Sequence, residues 1–365
     1  MDFRYDTDHT DFRSSLRGLL REAAPLPRVR ELAAAGAHDA PLWARLCGEM
    51  DLAALHAPTQ YGGAGATVTE TAIAFEELGR GLIPVPLLAT TCTIEAVLRM
   101  GDADQRRRLL PGLLTGERIG SFAAAGPGAA DPSSATVLAA HTGGRTVVSG
   151  ECSPVLHGSA ADLFVVPARV DDALGLYVVA ADSPGVAVEA LPSFDSTRPV
   201  ARLTLTDAPA EALAAASPDG VERVLDIARL LLAAEMLGGA EACLALSVDY
   251  ACTRRQFDRQ IGSFQAVKHA CAEMLIEIDA TRVAVMFAAM SAADPDELAI
   301  AAPLVKAQAA DTFTLCAGSA IQVHGGIAFT WEHDLHLYYR RAKTTEALFG
   351  SSTAHRALLA DRAGL

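Results

Sequence analysis

The chain has 365 residues, of which 51% are hydrophobic and only 5% aromatic, and its formal net charge is −14. An abundance of alanine and leucine favours helix. The acidic balance argues against nucleic acid and anionic membrane surfaces as partners, while a few local cations would still suffice for an anionic cofactor. Seven cysteines, at 47, 92, 152, 243, 252, 271 and 316, form no CxxC pair or disulfide framework, and most sit in apolar helical patterns as small buried hydrophobes. Aspartates in the first residues do not match a secretion signal, and no uninterrupted apolar run suggests a membrane span, so a cytoplasmic protein is expected.

Residues 1–115 carry amphipathic helical segments punctuated by turns, among them the Pro-to-Gly connector PTQYGGAG at 58–65. Residues 116–210 change texture. Short β-branched runs such as ADLFVVPARV and ARLTLTDAPA alternate with Gly, Pro, Asp and Ser, which predicts an antiparallel sandwich or barrel. Residues 211–365 return to long helical patterns with apolar residues at i, i+3, i+4 and i+7, predicting a helical bundle. The expected class is α+β, mainly α, in the order helical, β, four-helix bundle. No strand-GxGxxG-helix unit occurs, which excludes a Rossmann body.

Two segments are specific enough to compare with a family: YACTRRQFDRQIGSFQ at 250–265 and QVHGGIAFTWEHDLHLYYRRAKTTEALFGSSTAHR at 322–356. Both resemble the C-terminal domain of acyl-CoA dehydrogenases, and the helical, β, helical order matches that family along nearly the whole chain. PTQYGGAG and FAAAGPG fall where the family carries two further glycine-rich stretches. The resemblance implies FAD as cofactor, an acyl-CoA substrate, and an electron-transfer flavoprotein or similar acceptor. The implied chemistry takes a proton from Cα of a thioester and a hydride from Cβ to flavin. It needs a carboxylate base, a stacked flavin and donors to the thioester carbonyl.

Measured against those needs, the base is missing. Phe349 stands before Gly350 where most of the family has glutamate, and Ala228 precedes Arg229 where some relatives place the base instead. Glu346 and Asp226 lie about one helical turn from those positions, with solvated carboxylates as the default reading. The ring side of the flavin site is altered too. Pro154 and Leu156 match a tryptophan and a threonine of the family, and Ala125-Gly126-Pro127-Gly128 replaces its T-E-P-G. The half that one chain lends to its neighbour is retained. Arg254 and Phe257 match residues that hold the pyrophosphate and cover the adjacent subunit's flavin. Gln322, His324, Gly325 and Gly326 match the turn against the adenosine side. Asp226 and Arg229 match a position near the CoA, though a local ion pair reads equally well.

This asymmetry resembles the base-lacking subunit of heterotetrameric bacterial dehydrogenases of the steroid side-chain type. It implies a homologous partner that bears the catalytic glutamate. Two other readings stay open: a self-sufficient flavoenzyme with altered, biosynthetic chemistry, and a non-catalytic scaffold or acyl-CoA-binding subunit. His324, His333 and His336 read as helix caps and interface residues, with no metal site expected. The arginines at 106–108, 340, 341 and 356 read as solvated helix faces.

Overall fold

The computed structural model describes residues 4–123, 136–142, 145–170 and 173–365. In chain order, six helices come first: α1 (Thr7–Ala23), α2 (Leu26–Ala35), α3 (Ala40–Met50), α4 (Val68–Arg80), α5 (Leu87–Met100) and α6 (Ala103–Leu114). Eight strands follow: β1 (Gly120–Phe122), β2 (Leu138–Thr142), β3 (Arg145–Leu156), β4 (Leu163–Val170), β5 (Ala173–Ala180), β6 (Val186–Leu191), β7 (Val200–Pro209) and β8 (Glu211–Ala212). The remainder is α7 (Pro218–Thr253), a small hairpin of β9 (Arg255–Gln256) and β10 (Arg259–Gln260), then α8 (Gln265–Met290), α9 (Pro295–His324), α10 (Leu335–Ala347) and α11 (Ser352–Ala363). The three long C-terminal helices thus appear where apolar periodicity predicts them.

Capping explains several starts. Asp6 accepts from the His9 backbone amide while His9 reaches back to the Asp6 amide, and Asp102 with Gln105 repeats the device before α6. Asp39 caps α3, followed at once by the tolerated Pro41. PTQYGGAG ends helix as expected: only a single 3-10 turn, Thr59–Tyr61, survives in it.

The chain forms two compact units. One comprises Leu32–Thr67 and Pro84–Ala228, the other the segment up to Glu31, Val68–Ile83 and Arg229–Leu365. In the first, the strands run in the order β6-β7-β3-β2-β4-β5-β8, with β1 beside β4. Pairing is antiparallel except that β1 and the first residue of β2 pair parallel with β4, so the sheet is mixed. Val148, Cys152, Phe164, Val166, Val179, Leu203 and Leu205 fill its core. Pro154, which cannot donate to a ladder, falls in the register shift between Cys152 and Val155, where an unpaired residue is tolerated.

The same unit buries a polar triad. Glu95 of α5 accepts from His56 at 2.9 Å and from Arg99 at 2.6 Å and is 3% exposed. Burial alone would raise its pKa, but the hydrogen bond and charge of His56, then Arg99, outweigh burial and hold it at about 2. Its carboxylate therefore stabilises the fold fully above the unfolded-state pKa of about 4.3, and that contribution fades as pH falls toward 2. Arg99 reaches solvent, so Glu95→Gln is expected to cost about 2 kcal/mol at pH 7 rather than the larger loss of a sealed pair. Urea unfolding at several pH values should show this gap to wild type closing below about pH 4.

In the helical unit, α1 and α4 are tied by Arg13 to Glu76 and Arg17 to Glu77. Helix α4 crosses α7 where each carries a glycine, Gly79 and Gly238, and their backbones touch. The stretch Pro218–Thr253 does have the length and apolar content of a membrane span, unlike the sequence expectation. However, 72% of its most apolar window is buried inside the protein, as in a core helix.

Candidate functional site

The end of α10 carries the position that the sequence singles out. Helix α10 stops at Ala347, and the chain turns through Phe349 (φ 55°) and Gly350 (φ 111°). A bulky residue with positive φ is uncommon and is held only where its surroundings fix it. Lys306 of α9, fully buried, supplies that constraint: its Nζ donates to the carbonyls of Glu346 at 3.1 Å and Gly350 at 3.2 Å. The Phe349 ring is itself buried. Glu346, the nearest carboxylate in sequence, points to Lys343 at 3.2 Å and is partly exposed.

His355 of α11 is buried in the same unit. Its pKa is depressed to about 3, first by burial and then by the positive charges of Lys306 and Arg229. It stands as a neutral ring at physiological pH. Arg229 is buried, and so is Asp226, which is therefore not the solvated carboxylate expected from the sequence. Ala228 is fully buried.

A second cluster lies at the end of α7. The β9–β10 hairpin turns through Phe257 (φ 51°) and Asp258 (φ 60°), the two-residue geometry whose twist suits a tight hairpin. The Arg255 guanidinium braces it by donating to the Asp258 carbonyl at 2.6 Å. Phe257 is 85% exposed, touching Phe264 edge-on at 6.1 Å. Arg254 is also exposed, and its guanidinium makes no hydrogen bond or ion pair with another described residue.

Tyr250, one turn before Arg254, ties this hairpin to the end of α9. Its ring stacks on His324 at 4.3 Å, and His333 meets the other side of His324 edge-on at 4.8 Å. Burial lowers the His324 pKa, and its Nδ1 lies 2.8 Å from the Ala320 carbonyl. Gly325 follows with φ 65° and ψ −140°, a conformation open in practice only to glycine. Neither Gly325 nor Gly326 has a heavy atom within 4 Å of where a Cβ would stand, and Gln322 is exposed. A polar turn with open backbone thus sits beside a hairpin bearing an uncommitted arginine.

In the β unit, Leu156 is buried and its carbonyl accepts from Ser121 Oγ at 2.7 Å, while Pro154 is exposed. Between them they offer no side-chain hydroxyl or donor. Ala125-Gly126-Pro127-Gly128 lies outside the described residues.

Two family descriptions match the chain: "Acyl-CoA dehydrogenase, N-terminal domain" over residues 6–117 and "Acyl-CoA dehydrogenase, C-terminal domain" over 220–364. The acyl-CoA dehydrogenase IpdE2 of Mycobacterium tuberculosis is 35% identical over 331 residues, 91% of this chain and 89% of that protein. This chain belongs to the acyl-CoA dehydrogenase family. Among solved structures it is similar to the ChsE4-ChsE5 complex of Mycobacterium tuberculosis, with TM-score 0.91, 30% identity and coverage of 100% of this chain and 99% of that one. It is also similar to the Tcur3481-Tcur3483 steroid ACAD G363A variant, with TM-score 0.87, 31% identity and 98% of each chain covered.

The family is FAD-dependent. The residues present fit a dinucleotide at the α7–α9 end, where a free guanidinium suits a pyrophosphate and paired glycines admit close backbone approach.

Sequence reasoning missed Lys306, which no motif marks, and gave no role to Tyr250 and His355, although both lie inside the two segments that resemble the family. It also misread Arg341. Far from being solvated, Arg341 is buried and paired with Glu235 at 2.5 Å, because it lies on the inner face of α10. Arg340 lies over the Trp331 ring at 4.7 Å.

Proposed function

We propose that this chain is the base-lacking subunit of a heteromeric acyl-CoA dehydrogenase that desaturates an acyl-CoA thioester between Cα and Cβ. The observation that carries this reading is Phe349. A buried phenyl, in a turn that Lys306 holds through the Glu346 and Gly350 carbonyls, stands where the family resemblance would put the carboxylate that takes the Cα proton. Glu346 is engaged by Lys343 and does not substitute. In this reading a homologous partner supplies the glutamate and the ring pocket. Arg254 would hold the pyrophosphate, Phe257 would cover the dinucleotide, and the Gln322–Gly326 turn would lie along its adenosine side. A flavin held by these residues would supply the hydride acceptor for Cβ, with an electron-transfer flavoprotein or similar carrier as the onward acceptor.

The surface of α8 supports a partner. Ile276, Val283 and Phe287 recur along one side of the helix, the first two more than 60% exposed. A helix apolar on its outer side as well as its inner one is normally covered. The similar solved structures of a ChsE4-ChsE5 complex and a steroid ACAD favour an unlike partner chain and a bulky polycyclic acyl group.

Co-expression with a glutamate-bearing homologue tests this. One FAD per pair of unlike chains is expected. Glu→Gln at the partner's base should lower turnover by roughly 10²–10⁴-fold, whereas Phe349→Ala here should change it only a few-fold. A yellow, fully active protein made of this chain alone would defeat the proposal. Flavin reduced without enoyl product would favour a self-sufficient enzyme of altered chemistry, and complexes without flavin would favour a scaffold.

A further inference from the structure

The β unit carries a second feature that the dehydrogenase reading leaves unused. A groove of about 450 Å³ opens between α6, the start of β3 and the ends of β5 and β7. Its size falls within the range of small-molecule sites. Leu163 and Val178, both buried, contribute apolar walls, and three arginines reach it, namely Arg108, Arg118 and Arg145.

The charges in this groove do not cancel. Arg108 bonds both carboxylate oxygens of Glu211 at 2.7 Å, and Gln105 adds a third bond to the same carboxylate at 2.8 Å. Glu211 is the one acid lining the groove and is thereby occupied. Neither Arg118 nor Arg145 makes a side-chain hydrogen bond or ion pair with another described residue, and the Ser183 hydroxyl beside them is likewise uncommitted. In a chain of net charge −14, two guanidiniums without an ion pair among the described residues, lining one concavity, are conspicuous.

Arg118 is also held in place. Its stem lies over Gly112, 3.0 Å from where a Cβ would stand, and its backbone amide donates to the Gly112 carbonyl at 2.8 Å. Arg145 opens β3 opposite Thr142 and is fixed in register by the β2–β3 ladder. Two positioned guanidinium forks and a hydroxyl match the acceptors of a phosphate better than a single carboxylate.

We propose that this groove binds a phosphate-bearing small molecule, with Arg118 and Arg145 on the phosphate and the Leu163–Val178 wall beside its remainder. The site lies in a different unit from Arg254 and is independent of the flavin reading. The test is isothermal titration of the full chain carrying Arg254→Ala, so that the other candidate phosphate contact is silent, with inorganic phosphate, ADP and adenosine. Phosphate and ADP should bind while adenosine does not, and Arg118→Gln with Arg145→Gln should weaken binding at least 10-fold. Arg107→Ala, on the exposed side of α6, should leave it unchanged. ADP binding much tighter than phosphate assigns the apolar wall to a nucleoside, and equal binding assigns the site to the phosphate group alone. Binding unaffected by the double variant, or absent for both anions at 10 mM, overturns the proposal. Arginine-dependent capture of polyglutamate without phosphate binding also overturns it, in favour of an acidic protein surface.

Discussion

Arg254→Ala is expected to loosen FAD from the assembled protein by roughly 10- to 100-fold while leaving assembly and unfolding midpoint unchanged. The magnitude follows from removing hydrogen bonds to a charged group, about 1.5–3 kcal/mol. The selectivity follows from the geometry. The guanidinium is exposed and makes no hydrogen bond or ion pair with another described residue, so its loss should take little from the fold. The hairpin beneath it is held by other means: the Arg255 bond to the Asp258 carbonyl, and the Arg254 backbone, whose amide and carbonyl bond Tyr250 and Ile261. Alanine keeps all of these. Arg254→Lys should recover only part of the affinity, because an ammonium lacks the fork that grips two phosphate oxygens at once. Flavin fluorescence titration of the co-expressed complex measures the effect. Wild-type FAD affinity in the alanine variant would show that this chain does not lend Arg254 to a dinucleotide.

How much of this was legible beforehand depended on the range of the interactions. Long helices announce themselves through local periodicity, so α7, α8 and α9 appear where apolar spacing puts them. The β zone was readable as short punctuated strands, but not the parallel placement of β1 beside β4, since pairing partners lie some 40 residues apart and leave no local signal. The site divides the same way. Phe349, Arg254 and the HGG turn stand inside recognisable motifs. Lys306 does not, because a lysine in an alanine-rich helix looks solvated until α10 and α11 close over it. Arg341 and Asp226 failed for the same reason: charge predicts exposure, and tertiary pairing or burial reverses it. The helical first third is shared between the two compact units, with α1 and α4 in one and α3, α5 and α6 in the other.

Gly238→Ala should destabilise the protein by about 3 kcal/mol, and the reason lies in how the base-position turn is held. A Cβ at Gly238 would stand 1.8 Å from the Glu76 carbonyl oxygen and 2.9 Å from the Arg80 amide. Both are helix backbone, so no side chain can swing aside, and α4 and α7 must separate. A Cβ at Gly79 would likewise stand 2.0 Å from the Glu235 carbonyl oxygen, so the helices cannot slide to make room. Separation would strain two links to α10: the Tyr338 hydroxyl donates to the Arg80 carbonyl at 2.7 Å, and Arg341 pairs with Glu235 on α7. Since α10 ends in the Phe349 turn, the crossing positions that turn as well as the core. Gly18→Ala gives the contrasting case, because Gly18 sits on exposed α1 with nothing within 4 Å of the added carbon. There the same methyl should stabilise by about 0.5–1 kcal/mol through helix propensity alone. Urea unfolding of the two variants should therefore shift the midpoint in opposite directions. An unchanged midpoint for Gly238→Ala would mean that α4 and α7 do not meet backbone to backbone.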